Sequence, residues 1–158
     1  KFRWFGLEKG VPRTEIDITS LGYKYNMNNV AATIGQVQLR DIHTRIIDKH
    51  KANGRYFDQA IASIPGLSVA TFDAQAEPSY WLYTVLSDHA DDIEKRLAEI
   101  DVMASKLHRP NHFHSIFKPY AGAMPNLAKY YERMIHIPCG WWVSVEDRER
   151  IVDALKKG

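Results

Sequence analysis

Apolar residues recur at helical spacing from Val30 through Ala31, Ile34, Val37 and Leu39, and the period carries on through Ile42, Ile46, Ile47, Phe57 and Ile61. Asn28 stands before the first of them as an N-cap, and Pro65-Gly66 supplies a stop. The run is long for one globular helix, so a bend or break is expected between Leu39 and Thr44. Arg40, Arg45, Lys49, Lys51 and Arg55 mark the face turned to solvent. A long helix pair at this end leaves only the remaining residues to build a sheet.

The later elements are short. Residues 67–72 and 80–86 read as strands, the second rich in aromatic and β-branched side chains. Residues 90–100 form an amphipathic helix capped by Asp88 or by the Asp91-Asp92 pair. A strand over 102–107 leads into a loop over 108–122, followed by a helix at 125–133 and a strand at 134–137. The closing helix, 144–157, has Ser144 as N-cap and Asp147 three residues on, an approximate capping box. The expected class is α/β of an α+β-like kind: a helix pair, then a small sheet with helices on one side rather than a doubly wound sheet.

Composition excludes several functions. A net charge of +2 with scattered basic residues gives no footprint for nucleic acid. No apolar run approaches membrane-spanning length. The single cysteine, Cys139, rules out an internal disulfide and fits a reducing, cytoplasmic setting. No Gly-x-Ser-x-Gly, Walker loop, His-Glu-x-x-His or Gly-x-Gly-x-x-Gly occurs.

Three segments carry candidate chemistry. The loop Lys24-Tyr25-Asn26 puts a cation, a phenol and an amide before a helix start, where unpaired N–H groups and the dipole favour an anion. A structural turn capping the helix is the plain alternative. Residues 108–117 hold His108, His112 and His114 beside Arg109. Pro110 disfavours the helix that would align His108 with His112, and no Cys or Glu nearby completes a metal site. Trp141-Trp142 is read as core packing or a subunit contact, and Cys139 as a buried thiol.

The stretch Gly22-Tyr23-Lys24-Tyr25-Asn26-Met27-Asn28-Asn29-Val30-Ala31-Ala32-Thr33-Ile34-Gly35-Gln36-Val37-Gln38-Leu39 closely resembles a signature of the DegT/DnrJ/StrS family. These are pyridoxal-phosphate (PLP) aminotransferases acting on nucleotide-linked keto-sugars. Residues 108–117 resemble the family's loop near the sugar nucleotide, and Ile135-His136-Ile137-Pro138-Cys139-Gly140-Trp141-Trp142 its closing element. The resemblance implies amino transfer from an amino acid, usually glutamate, by a homodimer. It implies that Asn26 or Lys24 meets the PLP phosphate of the other subunit, with Asn26 favoured. Tyr25, Arg109 and His114 would lie on the substrate side.

In the family this signature lies well past the cofactor lysine, and no lysine here has that lysine's flanking sequence. The expectation is therefore a C-terminal portion, inactive alone and with no catalytic residue of its own. Residues 1–27 would form an interface and active-site segment and residues 28–158 the small domain, with the cofactor-lysine domain absent. Two other readings are a non-enzymatic dimerisation or regulatory module derived from such an enzyme, and a metal-binding protein using the histidine loop.

Overall fold

The structure is a computed structural model that describes Tyr25 and residues 27–157. It divides into two units, Lys1–Ile42 and His43–Gly158. In the first, helix α1 (Asn29–Leu39) starts as the local sequence dictates: Asn28 is extended, and its side-chain oxygen accepts from the Ala31 N–H at 2.8 Å. The helix buries none of its side chains, and Val30, Ile34, Val37 and Leu39 stay exposed. Regular α-helix ends at Leu39 and a π-helical turn covers His43–Ile47, so the expected interruption is there.

The second unit opens with that turn and helix α2 (Asp48–Ile61), which buries His50, Asn53, Gly54, Phe57 and Ile61 along one face. The helix stops earlier than Pro65-Gly66 suggests, and Gly66 takes the left-handed conformation (φ 80°) that turns the chain into the sheet. Strands β1 (Leu67–Val69), β2 (Leu82–Ser87) and β3 (Met134–Pro138) form an antiparallel sheet in that order, with Val69 opposite Val85 and Thr84 opposite His136.

Helix α3 (Ala90–Ala98) follows β2, and α4 (Pro125–Arg133) runs straight into β3. Helix α5 (Val145–Lys156) closes the unit. Its capping box is complete: Ser144 accepts from the Asp147 N–H, and the Asp147 carboxylate accepts from the Ser144 N–H.

The sheet has two unlike faces. Tyr83 and Val85 of β2 and Ile135 and Ile137 of β3 point into a core with Phe57, Ile61, Ile93, Leu97, Ile151 and Leu155 from α2, α3 and α5. The alternate residues, Leu82, Thr84, Leu86, His136 and Pro138, are only half-buried. A small sheet with its helical core on one face is the architecture expected, and it leaves His136 on the other face to line a cleft.

Three expectations need correction. The strand over 102–107 is reduced to one bridge, Ser105 to His136, and the next donor, the Leu107 N–H, faces the His136 ring, 3.2 Å from Nδ1, rather than a ladder carbonyl. Neither Asp88 nor the Asp91-Asp92 pair caps α3. His89 occupies that position without a side-chain bond, while Asp88 pairs with Arg133 (2.6 Å) and Asp91 with Lys106 (3.0 Å). Of the two readings of Trp141 and Trp142, core packing is ruled out, since they are 51% and 57% exposed. Asn53 donates to both the Gly140 and Val143 carbonyls, and the turn it pins sends Val143 inward instead.

Candidate active-site clefts

Two clefts open beside the sheet, and His108 and His136 line both. The larger, about 560 Å³, lies beneath the loop that follows the bridge. Arg109 and His112 bring polarity to it, Tyr130 and Tyr131 of α4 form one wall, and Met124, Leu127 and Met134 supply apolar surface. Arg109 sits 5.4 Å from the Phe113 ring centre, and His112 packs on the same ring at 4.4 Å. The cleft therefore combines one permanent cation with several imidazoles and no carboxylate, which suits an anionic group.

His136 is the residue that the sequence reading passed over. The alternation Ile135-His136-Ile137 was its signal: two isoleucines into the core place the imidazole on the opposite face. Burial pushes the ring below its ordinary value, the bond to the Ser105 carbonyl opposes this, and His108 adds to the lowering. The ring is thus neutral at neutral pH. Its Nδ1 stands 3.1 Å from the Ser105 carbonyl and 3.2 Å from the Leu107 N–H, so the tautomer decides which bond forms and what Nε2 offers.

The smaller cleft, about 360 Å³, is lined by Phe72, Tyr80, Trp81, Thr84 and Asp58 beside the shared histidines. Asp58 accepts hydrogen bonds from the hydroxyls of Tyr80 (2.6 Å) and Tyr83 (2.7 Å). Desolvation first, then the Asp58 bond and charge, push the Tyr80 phenol up to about 12, and the same causes raise that of Tyr83. Cys139 is buried, its thiol pushed up to about 12 mainly by that burial, and it is inert.

Of the residues singled out in advance, Arg109 lines the larger cleft, with His108 and His112 beside it. His114 is exposed between two 3-10 turns and is not among the cleft-lining residues. Tyr25 is exposed in the first unit, and Lys24 and Asn26 lie outside the described residues. Among the described residues, no three His, Cys, Asp or Glu side chains gather to hold a metal ion.

The model of the DegT/DnrJ/EryC1/StrS aminotransferase family matches residues 1–156. The chain belongs to that family. A putative pyridoxal phosphate-dependent aminotransferase, EpsN of Bacillus subtilis, is 23% identical over 98% of this chain and 42% of its own length. The UDP-4-amino-4,6-dideoxy-N-acetyl-beta-L-altrosamine transaminase of Campylobacter jejuni is 21% identical over 88% of this chain and 39% of its own. The crystal structure of the sugar aminotransferase CalS13 from Micromonospora echinospora superposes with a TM-score of 0.89 at 27% identity, covering 99% of this chain and 43% of that one. The chain thus spans about two fifths of the length of these relatives.

PLP chemistry needs a lysine for the Schiff base and a carboxylate at the pyridine nitrogen. Neither a lysine nor a carboxylate lines the larger cleft. Among the described lysines, Lys51, Lys95, Lys106 and Lys156 are held in ion pairs with Glu77, Asp92, Asp91 and Asp153. The described residues by themselves do not fit the cofactor. Nor is any described helix long and apolar enough to cross a membrane.

Proposed function

We propose that this chain is the substrate-side portion of a cytoplasmic, homodimeric, PLP-dependent aminotransferase that moves an amino group from an amino acid, glutamate by preference, to the keto carbon of a nucleotide-linked sugar. The observation that carries this reading is the larger cleft. Arg109 and three imidazoles converge on the open face of a sheet whose fold matches a sugar aminotransferase over 99% of the chain. Arg109 holds a phosphate of the sugar nucleotide, and His108 and His136 donate or accept at its hydroxyls; by the family resemblance Tyr25 and His114 are substrate-side residues of the full-length enzyme. The Schiff-base lysine and its acidic partner belong to other parts of the enzyme, so this chain alone is inactive.

Borohydride reduction after incubation with PLP, followed by peptide mapping, is expected to show no single dominant labelled lysine in the chain. The full-length gene product should convert glutamate to 2-oxoglutarate in a half-reaction. Stoichiometric labelling at one lysine of the chain, or no half-reaction in the full-length product, would sink the proposal.

The cofactor phosphate is met across the dimer interface by Asn26, with Lys24 adding positive field. Asn26→Ala in the full-length product removes one charge-assisted hydrogen bond worth about 1.5–3 kcal/mol, so PLP affinity should fall by about ten- to a hundredfold. An Asn26→Ala affinity equal to that of the parent would leave the loop as a helix cap and nothing more.

A further inference from the structure

We infer that His136 is a positioning residue: its ring, with the proton on Nε2, holds the Leu107 N–H at Nδ1 and so fixes the start of the loop that carries Arg109. This role is the same whatever ligand the larger cleft receives. Apart from the Phe113 ring against Tyr131 of α4, residues 108–122 have little to hold them. Their 3-10 turns, Asn111–Phe113 and Ser115–Tyr120, bury no side chain, and their backbone bonds stay within the loop. Among the described residues, no hydrogen bond joins 108–122 to the sheet. The two bonds that Ser105 and His136 exchange, 3.1 and 2.9 Å long, end the regular pairing. The Leu107 N–H, 3.2 Å from His136 Nδ1, is then the last tie before Arg109 enters the cleft.

A backbone N–H can only donate, so this bond needs a lone pair on Nδ1 and the proton on Nε2. The other tautomer would aim an Nδ1–H at the Ser105 carbonyl, 3.1 Å away. That oxygen already accepts from the His136 N–H, whereas the Leu107 N–H has no other acceptor among the described residues. Two donors would then face each other and the Leu107 bond would go unmade. A second proton on the ring has the same effect: Nδ1–H turns to Ser105, and Leu107 is released. The charged groups that share the ring's clefts are His108, Arg109 and His112 from the loop, which oppose a positive ring when cationic, and Asp58 from α2, which favours one. The phenols of Tyr130 and Tyr131 on α4, and of Tyr80 and Tyr83 beside Asp58, carry no charge in acid. From β2 only Thr84 stands opposite.

Amide hydrogen exchange of the chain, resolved at Leu107 and corrected for the intrinsic effect of pH, tests this role. The Leu107 N–H is expected to be protected about tenfold near pH 7 and to lose that protection as pH falls below about 6.5. The sign follows because the held ring takes a proton less readily than a released one. His136→Asn places a side-chain oxygen close to the position of Nδ1 and cannot titrate, so protection should be kept and stay flat with pH. His136→Leu should lose it at every pH, while the bridge keeps the amides of Ser105 and residue 136 protected. Nitrogen NMR of the parent ring near pH 7 should find the proton on Nε2. A proton on Nδ1, or Leu107 protection that ignores pH in the parent, would overturn the role. So would parental protection in His136→Leu, or parental pH dependence in His136→Asn, where the other histidines remain.

Discussion

Replacing Gly54 by alanine is expected to destabilise the second unit by about 2–3 kcal/mol, lowering its melting temperature by roughly 5–10 °C. Gly54 is buried on α2, and an added Cβ would fall on the ring of Tyr80. That ring cannot step aside freely: its hydroxyl is bonded to Asp58 at 2.6 Å and its carbonyl to His50. Alanine gains about 1 kcal/mol of helix propensity over glycine. Overpacking costs about 1–3 kcal/mol, and each displaced Tyr80 hydrogen bond about 1 more, so the loss wins. The strained turn at Tyr80, itself worth on the order of 1–3 kcal/mol, would shift with the ring. Calorimetry of the variant decides the matter, since an unchanged or higher melting temperature would mean that Tyr80 does not pack on Gly54 as described.

Asp58→Ala should cost about 2–4 kcal/mol, because it strips the acceptor from two phenols at once. Tyr83 is 3% exposed and finds no water in exchange, while the half-buried Tyr80 recovers part of its loss. Asp58→Asn should cost less, since an amide can accept from one phenol and donate to the other.

The pair also sets an alkaline limit. An unfolded tyrosine titrates near 10, whereas the folded Tyr80 phenol titrates at about 12 and that of Tyr83 is raised as well. Between those values the folded state binds more protons than the unfolded one, so stability falls as pH rises above about 10. Cys139, raised to about 12, contributes in the same direction from about pH 9 upward. Burial is the first cause of both phenol shifts and remains in the alanine variant, so its alkaline loss should be shallower but present. Urea unfolding at about pH 8 and pH 11 measures this, and an equally steep loss in parent and variant would remove Asp58 from the account.

The parts of this protein that were legible in the chain are those with local causes. Asn28 caps α1 through an N–H three residues away, and Ser144 and Asp147 close a box within one helical turn. The helical period through Phe57 and Ile61 marked a true core face, and the alternation at residues 134–137 marked a true strand. The Gly22–Leu39 stretch, supported by the histidine loop and the closing element, identified the family because the order of residues along the chain carries the signature.

Tertiary structure decided what depends on residues far apart in sequence. The expected strand at 102–107 has suitable side chains, but the Leu107 N–H that a ladder would have used faces the His136 ring, 29 residues on. The left-handed Tyr80 follows from Asp58 and His50, whose bonds hold a conformation that no local preference supports. The same long-range pairing of β2 with β3 sets Thr84 beside His136 and turns both away from the core. Hydrogen bonds within one helical turn are written in neighbouring residues. Which face of a sheet is left open, and what gathers on it, is settled only when distant strands choose their register.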